Sequence, residues 1–266
     1  MAGPVFFIAD AHLGSSPGRE GDSYRLERLL PFLEHVGDQR AEHLYILGDL
    51  FDFWFEYRHV MPTRHFRILA AIRRLVDRGV PVSFLGGNHD WWAGPTFAEV
   101  AGMTTHHKPF SVEHQGKRLF LAHGDGLASN TDSGYLVLRL ILRNALTVRI
   151  LRLVHPDLAY ALGHRFSKFS RSYLTNADFR VAEPLAKFID RTLASGHDAF
   201  LMGHLHARYA ERRPGGGLFF VLGDWMKLFT ALRLQDGEFQ WEDWSSGRCL
   251  PATDPTAPQI GGHADD

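Results

Sequence analysis

Five short apolar runs in this chain each end on residues that can bind a metal, and that coincidence restricts the fold more than any other feature. Val5 to Ala9 leads into Asp10-Ala11-His12, and His43 to Leu47 leads into Gly48-Asp49. Val80 to Leu85 precedes Gly87-Asn88-His89-Asp90, Leu119 to Ala122 precedes His123-Gly124-Asp125, and Ala199 to Met202 precedes Gly203-His204-Leu205-His206. Runs of this length, rich in β-branched and aromatic residues, read as buried strands. In layered α/β proteins, strand ends are where sites are built. A lone Gly-Asp after a strand is ordinarily a turn. Five strand ends of this composition have no packing explanation.

The segments between the strands carry helical spacing. Tyr24 to Val36 places Leu26, Leu29, Leu30, Leu33 and Val36 on one face, and Thr63 to Arg78 does the same with Phe66, Leu69, Ile72, Leu75 and Val76. Gly79 closes the second helix. This βαβαβ opening implies a partly parallel sheet with helices packed on it. A short helix is expected at Thr96 to Val100, and strands at Thr104 to His106, Phe110 to Glu113 and Arg118 to Ala122. Between His123 and His204 the chain is mostly helical, with expected helices at Tyr135 to Val154, from Pro156 onward, and at Asp178 to Ala194. The last part reads as two hairpins, Tyr209–Arg212 with Leu218–Leu222 and Phe229–Leu234 with Phe239–Trp244. The tail 251–266 has little to bury and reads as disordered.

Bulk properties exclude several classes. The net charge of -1 gives no basic field for nucleic acid. The single cysteine, Cys249, permits no intrachain disulfide, which fits a reducing compartment. The apolar run at Val5 is too short for a signal core and lacks a preceding basic region. No uninterrupted apolar stretch is long enough to span a bilayer. A cytoplasmic protein is the expectation.

Aspartate, histidine and asparagine side chains without nearby cysteine suit borderline divalent ions such as Mn²⁺, Fe²⁺, Co²⁺ or Zn²⁺ rather than a structural zinc site. Counting donors gives Asp10, His12, Asp49, Asn88, His123, His204 and His206, too many for one ion and suited to two that share a carboxylate. Asp49 is central enough to be the bridge; Asp52, three residues on, is the alternative carboxylate. A pair of ions about 3.5–4 Å apart serves in-line displacement at phosphorus, polarising the phosphoryl oxygens and activating water, so no serine or cysteine nucleophile is needed. His89, beside Asn88, is the candidate proton donor, and Asp90 the candidate carboxylate to orient it. Asp125 is read equally as a site residue and as a turn cap.

Together the five blocks resemble the signature blocks of calcineurin-like metallophosphoesterases, in order and in spacing. The resemblance implies an α/β fold, a two-sheet sandwich flanked by helices. It implies one ion held by Asp10, His12, Asp49 and His206 and another by Asp49, Asn88, His123 and His204. Mn²⁺ is the first choice, with Fe²⁺, Zn²⁺ and Mg²⁺ as alternatives. A narrower likeness rests on Tyr45 to Trp54, on Asp132-Ser133-Gly134-Tyr135 and on the helical insertion. These are similar to the UDP-2,3-diacylglucosamine hydrolases of lipid A synthesis, which cut a pyrophosphate to release lipid X and UMP. Many members carry arginine where this chain has His89.

That likeness divides the chain into a catalytic domain, 1–250, with a helical lid inserted at about 127–196. Leu138, Leu142 and Phe166 are expected to line an acyl pocket under the lid. Asp132, Tyr135, Arg139, Arg143, Ser167, Lys168 and Arg171 are the candidate substrate contacts. The expected partner is a lipid-linked nucleotide sugar, with peripheral contact to the inner membrane surface and no nucleic acid. Other readings are a phosphoesterase for another phosphodiester, nucleotide sugar or phospholipid, and a non-catalytic adaptor of the same fold. The plain alternative for the lid arginines is that they solvate a core helix by snorkelling.

Overall fold

The computed structural model describes residues 2–15, 20–127, 140–141, 143–174 and 181–251. Two sheets pack face to face, with helices on their outer surfaces. The first sheet has the strand order β12-β11-β10-β1-β2-β3-β4 and the second β5-β6-β7-β9-β8. In the first, β1 (Val5–Ile8), β2 (His43–Ile46), β3 (Val82–Leu85) and β4 (Thr104–His106) run parallel. Strands β10 (Thr230–Gln235), β11 (Glu238–Asp243) and β12 (Leu250–Pro251) extend it antiparallel. In the second, β6 (Lys117–Ala122), β7 (Ala199–Met202) and β9 (Leu218–Leu222) are parallel, with β5 (Phe110–His114) and β8 (Arg208–Arg212) antiparallel at the edges.

The strands are apolar on both faces because both faces are covered. Alternation sorts their side chains into separate cores. From β1, Phe6 and Ile8 join the core under α1 (Glu20–Asp38) and α2 (Phe66–Asp77), whereas Val5, Phe7 and Ala9 face the other sheet. From β2, Leu44 and Ile46 face the helices, and Tyr45 and Leu47 face inward. From β7, Ala199 and Leu201 enter the sandwich, while Phe200 and Met202 pack beneath the helix Glu183–Ala194. Each such buried large side chain contributes roughly 1.5–3 kcal/mol.

Several boundaries differ from the sequence expectation. The expected single helix from Tyr135 to Val154 is broken at Asn144. That residue takes extended backbone, φ -70° and ψ 135°, and its side chain accepts the Leu146 N–H at 2.8 Å, so a new helix, α3 (Ala145–Leu151), starts there. An asparagine competes with the helix ladder and serves better as a cap. Helix α4 (Pro156–Leu174) begins at the expected proline. The next helix, α5, starts at Glu183 rather than near 178, with a proline in its first turn. Phe229 takes a left-handed φ of 49°, which delays β10 to Thr230. The segment at Phe97–Ala101 is a single wide turn closed by Gly102. The tail beyond 251 lies outside the described residues. Among the described residues no helix is long and apolar enough to cross a membrane.

Candidate metal centre

Parallel pairing aligns the C-terminal ends of β1, β2 and β3 in one sheet and of β6 and β7 in the other. The five ligand-bearing loops therefore meet at one end of the sandwich. Backbone contacts tie them together: Asp10 N–H donates to Gly48 O at 3.0 Å, His12 N–H to Asp49 O at 2.8 Å, and Gly203 N–H to His123 O at 3.0 Å. The turns are tight. Asp10, His12, Asp49, His204 and His206 all have positive φ, five of the nine non-glycine residues that do so among those described. Left-handed backbone at non-glycine residues costs of order 1–3 kcal/mol and persists only where the surroundings enforce it. Gly48 is required by contact as well as by its φ of 92°, because a Cβ there would fall 2.3 Å from His123 Nδ1.

These loops aim most of the expected donors in two groups. Asp10, His12 and His206 offer ligand atoms within 4.8 Å of one another, and so do Asp49, His123 and His204. One oxygen of each aspartate is fixed by the backbone: His204 N–H donates to Asp10 Oδ2 at 2.7 Å, and His89 N–H donates to Asp49 Oδ1 at 2.9 Å. The other oxygens face the histidines. Asp10 Oδ1 lies 3.8 Å from His12 Nε2 and 3.6 Å from His206 Nε2. Asp49 Oδ2 lies between the groups, 3.6 Å from His12 Nε2 and 3.4 Å from His123 Nε2. Asn88 Oδ1 is 3.1 Å from His123 Nε2.

These residues fit divalent ions. Asp10 Oδ1 and both ring nitrogens of His12 are buried and have no hydrogen-bond partner, a costly condition for polar atoms. Donors bound about 2.1 Å from one tetrahedral ion sit roughly 3.4 Å apart, close to the spacings found. The His123 Nδ1–H donates to Leu47 O at 2.8 Å, which fixes the tautomer and leaves Nε2 for a ligand role. Burial opposes charge on His123, but Asp49 beside it holds the imidazole well above its ordinary range. Asp49 is itself kept well below the usual carboxylate range, burial being overcome by His123, His89 and His12. A cation is thus favoured at this spot, whether proton or metal. Burial pushes His204 down to about 4, the neutral form that ligates.

His89 and Asp90 hold different partners from those expected. His89 Nδ1–H donates to the Asp52 carbonyl at 2.8 Å, so its Nε2 faces the centre, 3.9 Å from Asp49 Oδ2. Burial lowers His89 to about 4. Asp90 does not orient that ring. Its carboxylate accepts the N–H groups of Gly87, Asp49 and Phe51 at 2.9, 3.1 and 3.1 Å and so ties the β3 loop to the β2 loop. A buried carboxylate is better satisfied by three fixed donors than by one ring already held elsewhere. Burial, then Asp49, pushes Asp90 up to about 7.

Two carboxylates that the donor count left out border the centre. Asp224 Oδ2 lies 3.6 Å from His206 Nδ1, while its Oδ1 accepts the Met226, Lys227 and Leu228 N–H groups. The signal was present: Gly223-Asp224 follows the apolar run of β9, the pattern of Gly48-Asp49. Asp52 forms a third donor group with His12 and His89, their ligand atoms within 4.8 Å of one another and its Oδ1 3.6 Å from His12 Nδ1. The same carboxylate accepts Ser167 Oγ–H at 2.6 Å and faces His164 Nδ1 at 3.1 Å, so α4 is seated directly on the centre.

The residues expected to belong to the lid divide accordingly. Ser167 is buried against Asp52. Arg143 Nη2 donates to Asp125 Oδ2 at 3.0 Å, its guanidinium lies 4.8 Å from the Trp91 ring, and it lines a small cavity with His107, His123 and Asp125. Asp132, Tyr135, Leu138, Arg139 and Leu142 lie outside the described residues, as do the side chains of Phe166, Lys168 and Arg171.

The model of the calcineurin-like phosphoesterase family matches residues 3–208. The chain is 31% identical over 254 residues to a UDP-2,3-diacylglucosamine hydrolase of Porphyromonas gingivalis, covering 89% of this chain and 95% of the relative. To the enzyme of the same name in Pseudomonas putida it is 31% identical over 245 residues, with 89% and 97% covered. To that of Ectopseudomonas mendocina it is 32% identical over 240 residues, with 88% and 95% covered.

Proposed function

The chain belongs to the calcineurin-like phosphoesterase family of metal-dependent hydrolases, and from that premise we propose that it hydrolyses the pyrophosphate of a UDP-linked, twice-acylated glucosamine to UMP and the acylated sugar 1-phosphate. The observation that carries this reading is a lid rich in exposed apolar side chains and clamped to the metal centre. Leu140, Ile141, Leu146, Ile150, Leu153, Leu158 and Leu162 are exposed, Leu153 at 87% and Leu140 at 74%. The same lid reaches Asp52 through Ser167 and His164. A small polar nucleotide needs no such surface. Two acyl chains do, since each CH₂ removed from water contributes roughly 0.8 kcal/mol. The names of the relatives support the same substrate. The exposed leucines and isoleucines also suit contact with the membrane surface from which such a substrate is drawn.

Asp10, His12, Asp49 and His206 would hold one divalent ion and Asp49, Asn88, His123 and His204 the other, with Mn²⁺ the ion that suits this donor set. When bound, the ions supply Lewis-acid polarisation of the phosphoryl group and activation of water. His89 presents Nε2 toward the reacting phosphorus, because its Nδ1–H is committed to Asp52 O. Buried and neutral in the free protein, it gains affinity for a proton when the anionic pyrophosphate arrives. Protonated there, it donates to the developing charge. Arg143, beside Asp125 and the cavity at His123, supplies a further cation for the pyrophosphate. Incubation with UDP-2,3-diacylglucosamine and Mn²⁺ should release UMP, and UDP-N-acetylglucosamine should be cut far less efficiently. Equal efficiencies would remove the acylated substrate and leave a general phosphodiester or nucleotide-sugar hydrolase.

A further inference from the structure

Away from the strand-end loops, three donor side chains of three different elements converge on the outer side of the first sheet. His35 comes from the last turn of α1, Glu242 from β11, and Cys249 from the segment just before β12. Their ligand atoms all lie within 4.8 Å of one another. We propose that His35, Glu242 and Cys249 form a second metal site, distinct from the phosphoesterase centre, that takes a thiophilic divalent ion of the Zn²⁺ class.

The surroundings prepare each donor. Glu242 is buried, and one of its oxygens is fixed by the Trp244 Nε1–H at 3.1 Å. Its other oxygen, Oε1, is 3.8 Å from His35 Nε2. The His35 ring is held edge-on by Phe6 and Trp244, with centroids 5.9 and 5.2 Å away. Its Nε2 is buried without a hydrogen-bond partner, a defect that a ligand bond would relieve. Nitrogen, carboxylate and thiolate are the donors zinc prefers, and three protein ligands leave a position for water. The thiolate excludes Mg²⁺ and disfavours Mn²⁺, so the two sites select different ions.

Two features set the affinity. Burial, then Glu242, pushes the Cys249 thiol up to about 11. Binding an ion therefore forms the sulfur–metal bond as the S–H proton leaves to solvent. Arg233 also faces Glu242 Oε1, with Nε at 3.8 Å, and competes with the ion for that oxygen. Its Nη2–H donates to Gln240 Oε1 at 2.5 Å, a partner it keeps when displaced. The bound ion would pin the segment entering β12 to the end of α1.

Cys249 is the sole cysteine, so a sulfur-to-cobalt charge-transfer band can arise only from it, whatever occupies the phosphoesterase centre. Co²⁺ added to the full-length protein in the presence of excess Mn²⁺ should produce that band, and Zn²⁺ should abolish it. Cys249→Ser should lack the band and bind one fewer equivalent of Zn²⁺, with phosphodiesterase activity unchanged. His35→Gln and Glu242→Gln should each weaken Co²⁺ binding at least about tenfold, whereas Arg233→Gln should strengthen it. No band in the parent protein would overturn the proposal. So would a band of full affinity in both His35→Gln and Glu242→Gln, since that would mark a thiolate binding alone.

Discussion

The metal centre and the lid are neighbours built on opposite terms. The centre is buried, and its backbone is forced into left-handed turns by contacts from both sheets. The helices α3 and α4 leave leucine and isoleucine in water and meet the body through one small apolar cluster, in which Val148, Leu151, Ala159 and Tyr160 pack with Phe53, Phe55, Tyr57 and Trp92, and through polar anchors. Tyr57 O–H donates to Val154 O at 3.1 Å, Tyr160 O–H to Phe55 O at 3.4 Å, and Ser167 to Asp52 at 2.6 Å. A reaction that needs ions held within tenths of an ångström calls for the first construction. A ligand that is large, apolar and variable in length is better served by the second. Asp52 is where the two meet.

The comparison breaks most sharply at Asp49. Asp49→Ala should lower turnover by about 10⁴-fold or more, as loss of a residue that acts with all its partners does. Elemental analysis should show both ions depleted. Retention of one full equivalent would deny Asp49 the bridging place. Next comes His89→Ala, expected to slow turnover by about 10²–10⁴-fold with metal content kept. A variant as fast as the parent would take His89 out of proton transfer. Asp52→Asn keeps the backbone carbonyl that holds His89 and alters the link to His12, His164 and Ser167. A loss of about 10–100-fold is expected, the range for partners of metal ligands, together with faster proteolysis within the lid. Unchanged protease sensitivity would show that lid and centre are not coupled through this carboxylate. The smallest effect is assigned to Leu146→Ser with Ile150→Ser. Efficiency on the acylated substrate should fall by under about tenfold, in line with the loss of a few apolar groups from the interface. Hydrolysis of a small activated phosphodiester should be unaffected. An equal drop on both substrates would mean that these side chains support the fold rather than the lipid.

The metal centre was legible because its chemistry is written locally: an apolar run, a glycine, then a donor. Parallel pairing of β1, β2 and β3, and of β6 and β7, converts that local pattern into convergence. Asp224 carries the same pattern, but the sequence presents β9 as half of a hairpin, whereas β9 also runs parallel to β7. The tasks of Asp90 and Asp52 were not legible. A carboxylate next to a histidine in sequence invites pairing with it, yet the turn after β3 points Asp90 inward to three backbone donors. Likewise Asp52 meets Ser167 across 115 positions of chain. In the lid, apolar residues continue past Asn144, so periodicity alone could not find the break that its side-chain cap creates.

The two sheets contribute to the centre in nearly equal measure. Asp10, His12, Asp49 and Asn88 follow strands of the first, and His123, His204 and His206 follow strands of the second. At the opposite end of the sandwich an open cleft lies between Lys117, His197 and Gly217 of one side and Leu232, Phe239 and Trp241 of the other. Ions in the proposed sites would therefore link the two sheets at one end of the sandwich. Chelation should loosen more than the ligand loops. Amide exchange should quicken together at the facing ends of β2 and β7, strands that share no hydrogen bond, because a link between the sheets at that end would be gone.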